Sequence, residues 1–266
     1  MKYTSDEVQK ALESINEKID RIEGYLKTPG GPVIHHVNKT RNDLLNAIYR
    51  HDFNNYSQIE SFLKLFEIND QKHIYPPMRG WAISPDLALL LHNSVVNEKP
   101  TNILEFGCGV STIVFANALR KNGKGKLFSI ESSSEFAAET QRKIDEELLT
   151  NWVEITVAEL VDVSSSIDGD KPIWYDISTL KKQRLLSRQY DILLVDGPPG
   201  KISKMSRFPA LPIFFKTLSD KAIVYLDDAR REDEYEIAKK WAHLYDMEHI
   251  FLPFEKGLSI FKNRVV

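Results

Sequence analysis

The sequence predicts an open α/β sheet, mostly parallel and finished by an antiparallel hairpin, behind an N-terminal helical extension. Three observations predict it. Ile103 to Thr112, ILEFGCGVST, reads as a strand that turns at Gly107 and Gly109 into a helix running through Leu119. From Trp81 onward, short apolar runs alternate with helical patterns, the signature of parallel βα units. Near the C-terminus, Met247 to Leu252 and Leu258 to Phe261 are separated only by Pro253 to Gly257, which makes them an antiparallel pair. The chain has 266 residues, 42% hydrophobic and 27% charged, enough for one sizeable core with appendages.

Three regions follow from the pattern: 1–29, 30–79 and 80–266. In the first, Val8, Leu12, Ile15, Ile19, Ile22 and Leu26 recur at spacings of 4, 3, 4, 3 and 4. That is a heptad seam with charge on the other faces, and it predicts a self-associating coiled coil through residues 5–27. Thr4 with Glu7 reads as a capping box, and Gly30-Gly31-Pro32 ends the helix. β-branched residues at Val8, Ile15 and Ile22, the apparent d positions, lean towards more than two strands. Residues 33–75 read as two or three short helices, near Thr40–Arg50 and Tyr56–Phe66, separated at Asn54-Asn55. They form a helical cap or linker with no legible chemistry.

In the third region Ser84-Pro85 starts a helix to about Asn97, with Ser84 at the N-cap and Pro85 at the first helical position. Asn102–Glu105, Lys126–Ile130, Val153–Val157, Asp191–Val195 and Ala222–Leu226 are the five parallel strands, ahead of the terminal hairpin. Ligands of such sheets bind outside the carboxyl ends of the strands. Glu105, Glu131, Asp196, Asp227 and Asp228 all fall there.

Several classes are disfavoured by composition. Net charge is −3, with no basic footprint for nucleic acid. The longest apolar run, Leu87 to Leu91, is too short to span a bilayer. Cys108 is the only cysteine and the N-terminus MKYTSDEVQK has no signal-peptide core, so a reducing, cytoplasmic setting is expected.

The turn at Gly107 and Gly109 points backbone N–H groups and a helix N-terminus at a ligand. A nicotinamide dinucleotide would want a third glycine or alanine in that turn, and Thr112 stands there. A carboxylate inside the turn would repel a pyrophosphate. It suits a ligand with a positive centre, an amine and ribose hydroxyls, and S-adenosylmethionine has all three and no phosphate. Glu131, 22 residues after Gly109, is placed to accept from both ribose hydroxyls.

Over about residues 80–266 the chain resembles the class I S-adenosylmethionine-dependent methyltransferases. The motifs that carry the likeness are ILEFGCGVST, LFSIES with Glu131, YDILLVDGPPG, AIVYLDD and the terminal hairpin. Within the class it is most similar to bacterial O-methyltransferase-like proteins of sugar and small-molecule pathways. Those often carry G-W-x-x-S-P, here Gly80 to Pro85, and V-D-G-P-P-G followed by R-x-P-A, here Arg207 to Ala210.

The resemblance implies a Rossmann-like sheet of seven strands with the last one antiparallel. It also implies roles. Gly107 and Gly109 let the backbone approach the methionine moiety, beside Ser111 and Thr112 at the helix start. Glu105 holds the amino group, directly or through water. Ser84 lies near the methionine carboxylate, although its N-cap role is an equal reading. Glu131 binds the ribose with Ser132 beside it, Ala158 and Glu159 flank the adenine, and Asp196 faces the methyl-transfer site.

Metal-dependent O-methyltransferases place carboxylates after the fourth and fifth strands. Asp196, Asp227 and Asp228 stand there, a set of oxygen ligands suited to Mg²⁺ or a similar hard cation. The plainer readings are that Asp228 caps the helix beginning near Arg230 and that Asp227 satisfies loop amides. The catechol type has a lysine three residues after its first aspartate; Pro199 stands there, and Lys201 is the substitute. Arg207 is either a contact for an anionic acceptor or a solvated loop arginine. Trp174-Tyr175 is either an aromatic wall or core.

The expected activity is methyl transfer to a hydroxyl of a small molecule, a sugar or sugar nucleotide, by a cytoplasmic homo-oligomer. The rival from another class is a methyltransferase-like scaffold without turnover, assembled through its coiled coil. Aminopropyl transfer of the spermidine-synthase kind uses the same fold, but no acidic polyamine tunnel is recognisable.

Overall fold

The computed structural model describes residues 5–27, 31–68, 75–78, 80–163 and 173–264. Thr4 of the expected capping box and Gly30 of the expected helix stop lie outside them. The chain divides into two compact units with the boundary after Tyr56, inside the segment read as a cap or linker.

The first unit is helical. Helix α1 is Ser5–Lys27 and helix α2 is Pro32–Ile68. The expected break at Asn54-Asn55 is absent: α2 runs through it. Asparagine costs only a few tenths of a kcal/mol in a helix interior, far less than glycine or proline. Asn55 also hydrogen-bonds His51 one turn back, Nδ2 to Nδ1 at 3.1 Å.

The second unit holds a seven-stranded sheet. Its strands are β1 (Asn102–Phe106), β2 (Lys126–Glu131), β3 (Val153–Val157), β6 (Tyr190–Val195), β7 (Leu218–Asp227), β8 (Met247–Leu252) and β9 (Leu258–Asn263). The order is β3-β2-β1-β6-β7-β9-β8, and only β9 runs antiparallel to its neighbours. A separate antiparallel pair, β4 (Leu160–Asp162) with β5 (Ile173–Tyr175), follows β3. These two short strands were not legible in the sequence.

The sheet is apolar on both faces, as parallel strands must be. Alternate residues serve opposite cores. Ile103, Leu127, Ile192 and Leu194 pack under α3 (Pro85–Glu98), α4 (Val110–Asn122) and α5 (Ser134–Glu146). Leu104, Phe128, Leu193 and Val195 pack with Leu180 of α6 (Ile177–Lys182), Leu211 and Phe214 of α7 (Ala210–Phe214) and Trp241 of α8 (Glu232–Leu244). Trp174 and Tyr175 lie in this second core against Phe106, ring centroids 5.1 and 5.5 Å away, so they are packing residues. The strand order reverses between β1 and β6, and that switch point is where open α/β sheets take their ligands.

Candidate functional site

The site grows from four strand ends tied together by backbone. Asp196 N–H donates to Phe106 O at 3.0 Å, Gly107 N–H to Ile130 O at 2.8 Å, and Ala158 N–H to Glu131 O at 2.8 Å. Gly107 sits at φ +92°, and a Cβ there would lie 3.2 Å from the Asp196 carbonyl oxygen. Its freedom serves the close approach of the β1 and β6 loops. Gly109 is the open one: an added Cβ there meets nothing within 4 Å.

Glu105 is fully buried below this turn. Its Oε2 accepts from the hydroxyls of Thr112 and Ser129, both at 2.6 Å, while Oε1 has no partner. Thr112 Oγ1 in turn accepts from Gly109 N–H at 2.9 Å. So Thr112, the residue that replaces a third glycine, ties the turn to the carboxyl group. Burial pushes the Glu105 carboxyl up to about 7, against the pull of neighbouring hydroxyls, Ser111 first among them. Ser111 is itself buried.

Glu131 ends β2 next to the turn. Its Oε1 accepts from the Ser132 and Ser133 N–H groups at 2.7 and 2.8 Å, and its Oε2 from Cys108 N–H at 3.2 Å. Ser132 also donates its hydroxyl, at 3.2 Å. Three of these bonds fall on Oε1 and one on Oε2. Each carboxylate oxygen has about two acceptor positions, so Glu131 is oriented and its Oε2 keeps one position open. Ala158 is buried at the end of β3, and Glu159 beside it is exposed. Ser84 takes the N-cap position of α3 without capping it; its buried hydroxyl donates to Asp86 instead.

On the other side of the switch point lies an acidic cluster. One carboxylate oxygen from each of Asp196, Asp227 and Asp228 falls within 4.8 Å of the others. Arg207, 3% exposed, runs into the middle. Its guanidinium stands 3.2 Å from Asp196 Oδ1, 2.9 Å from Asp228 Oδ2 and 3.6 Å from Glu234 Oε1. It also donates to the carbonyls of Asp196, Asp227 and Pro198. Arg207 is therefore neither a solvated loop residue nor a free contact for an acceptor; it is committed to the protein's own carboxylates.

Arg231, half exposed, pairs with Asp228 at 2.8 Å. Helix α8 starts at Glu232 with Arg231 at its N-cap, so Asp228 is an ion-pair partner and not a cap. Four acids face two arginines, and Asp227 Oδ2 is buried with no partner. Burial, then the charge of Asp228, pushes the Asp227 carboxyl up to about 6. Burial and then Asp227 raise Asp196 well above the carboxylate range, with Arg207 opposing. Lys201 is exposed on the loop after Gly200.

Sequence reasoning missed Arg207 as a buried cation and missed Glu234 altogether. Asp228, Arg231 and Glu234 recur every three residues, one face of a helix start, and that spacing was the available signal.

Residues 104–229 match a family model described as a methyltransferase domain. The matched span runs from β1 to just past β7 and contains both the turn and the acidic cluster. The span is just under half of the chain, and what it matches is the kind of domain that the sequence motifs resemble. Among curated proteins, none matches the sequence significantly.

Solved structures share the methyltransferase fold. The SAH-bound methyltransferase PaMTH1 of Podospora anserina is 15% identical, with a TM-score of 0.51 over 77% of this chain and 88% of that one. The O-methyltransferase TomG of Streptomyces achromogenes, in complex with SAM, is 17% identical, with a TM-score of 0.51 over 77% and 90%. An O-methyltransferase of Bacillus cereus, in complex with SAH, is 14% identical, with a TM-score of 0.50 over 77% and 91%. At these identities the likeness is one of fold.

Proposed function

We propose that the domain transfers a methyl group from S-adenosylmethionine to a hydroxyl of a small metabolite, of the sugar or sugar-nucleotide class. The observation that carries the reading is the pairing of an open Gly109 turn with an oriented Glu131, one strand away, whose Oε2 keeps an acceptor position open. In this reading Glu131 accepts from the ribose hydroxyls, with Ser132 beside it. The Gly109 turn and the α4 N-terminus, with Ser111 and Thr112, face the methionine end. Ala158 borders the adenine, and Ser84 and Glu105 support the same end from below. The O-methyltransferases among the structural neighbours support an oxygen acceptor, and the G-W-x-x-S-P and R-x-P-A motifs support the sugar class.

The acceptor lies on the Asp196 side of the switch point. Transfer is an in-line displacement, so much of the acceleration comes from holding donor and acceptor collinear. The acceptor oxygen must also lose a proton. Asp196 orients the hydroxyl and takes its proton as the oxygen–methyl bond forms and the sulfonium–methyl bond breaks. Lys201, exposed on the loop beyond it, brings a positive charge to the oxygen. A hard divalent cation such as Mg²⁺ fits the donor set: three carboxylates converge, and the buried Asp227 Oδ2 lacks a partner. Asp196, Asp227 and Asp228 would hold it beside the Arg207 guanidinium. When bound, it would stabilise the acceptor as an oxyanion.

Self-association through residues 5–27 and a cytoplasmic setting complete the proposal. No described helix is long and apolar enough to cross a membrane. The test is transfer of labelled methyl from S-adenosylmethionine to a panel of sugar nucleotides and phenols, with and without chelator. Label in a sugar product, lost on chelation, is the expected result. Label in no hydroxyl compound would overturn the acceptor, and full activity in excess chelator would remove the cation.

A further inference from the structure

We infer that α1 assembles as a parallel, in-register coiled coil of more than two copies of this chain. The inference does not rest on the catalytic reading. Leu12, Ile15, Ile19, Ile22 and Leu26 are 47–60% exposed, although they form one continuous seam. A 23-residue helix is about 35 Å long and marginal alone in water. Its apolar stripe therefore calls for a partner, and the sequence of α1 says which.

The occupant is a second copy because the seam and its flanks are self-complementary. With Leu12, Ile19 and Leu26 at a and Ile15 and Ile22 at d, Lys18 falls at g and Glu23 at e of the next heptad. In a parallel, in-register bundle the g residue of one helix faces that e residue of its neighbour, so Lys18 meets Glu23 of the next copy around the whole ring. In the antiparallel arrangement with the seams fully overlapped, g faces g. Lys18 would then meet Lys18, while Glu23 would face the uncharged Gln9. Charge thus favours the parallel form.

Strand number follows from side-chain shape. Leucine at a with isoleucine at d favours three or four helices over two, and Leu12, Leu26, Ile15 and Ile22 are so placed. The polar residues Lys10, Glu13, Ser14, Glu17, Asp20 and Arg21 occupy the outer positions and stay in water.

Sedimentation equilibrium on the full-length chain tests the inference. The wild type should sediment as a trimer or tetramer, and the double substitution Ile15→Asp with Ile19→Asp should give a monomer. Lys18→Glu alone or Glu23→Lys alone should weaken assembly about tenfold, and the two together should restore it to within about twofold, because like charges replace opposite ones at every interface and then revert. The exchanges are at exposed positions, so circular dichroism of the remainder should be unchanged. A monomeric or dimeric wild type overturns the inference. So does an assembly that survives the isoleucine changes, or single charge variants that assemble as the wild type does, the antiparallel outcome.

Discussion

Replacing Glu105 by Gln should make the protein more stable at high pH. The carboxyl is fully buried, Oε2 accepts from two hydroxyls, and Oε1 has no partner. Burial raises it from an ordinary 4.5 to about 7. The folded pKa lies above the unfolded one, so the folded chain holds the extra proton between the two. Stability is then full below the unfolded value and falls as pH rises through the folded value. At about 1.4 kcal/mol per pH unit, the loss approaches about 3 kcal/mol by pH 8. A glutamine amide keeps an acceptor for Thr112 and Ser129 and cannot ionise. The stability difference between Glu105→Gln and wild type should therefore grow by about 3 kcal/mol, in favour of the variant, from about pH 4 to pH 8. Urea denaturation at stepped pH, with unchanged slope against denaturant, measures it. Parallel stability-against-pH curves for the two proteins would refute the reasoning.

Four further outcomes follow from the same geometry. Gly107→Ala should lose about 1–3 kcal/mol in a thermal melt, because a Cβ at φ +92° would crowd the Asp196 carbonyl. Gly109→Ala should fold normally and lose affinity for S-adenosylhomocysteine in calorimetry. Arg207→Met should cost about 3–5 kcal/mol in chemical denaturation, because it strands Asp196 and leaves Asp228 and Glu234 with Arg231 alone; wild-type stability would show the clamp to be idle. Asp227→Asn should abolish any saturable Mn²⁺ binding seen by electron paramagnetic resonance, while retained binding would move the cation elsewhere.

The sheet was legible because its strands are short apolar runs bounded by glycine, proline or acid, and parallel strands bury both faces. Val153–Val157 and Met247–Leu252 fall where the sequence puts them. β4 and β5 were not, since three-residue strands carry no periodicity of their own. Helix α2 was misread as pieces because Asn54-Asn55 looks like a turn by composition, while the helix bonds on either side outweigh its weak preference. In the site, the strand-end acids could be placed by counting from the strands. The burial of Arg207 could not, because it depends on three loops converging from residues 196, 207 and 228. Nor could the two glycines be told apart: only the structure shows the β6 loop packed against Gly107 and open space beside Gly109.

Isothermal titration of S-adenosylhomocysteine into the wild type and Glu131→Ala tests the central claim most directly. The account predicts one site per chain in the wild type. It predicts affinity about 10- to 100-fold weaker in the variant, as for the loss of charged hydrogen bonds, with the thermal melt little changed. No binding to the wild type, or equal binding to both proteins, would contradict it.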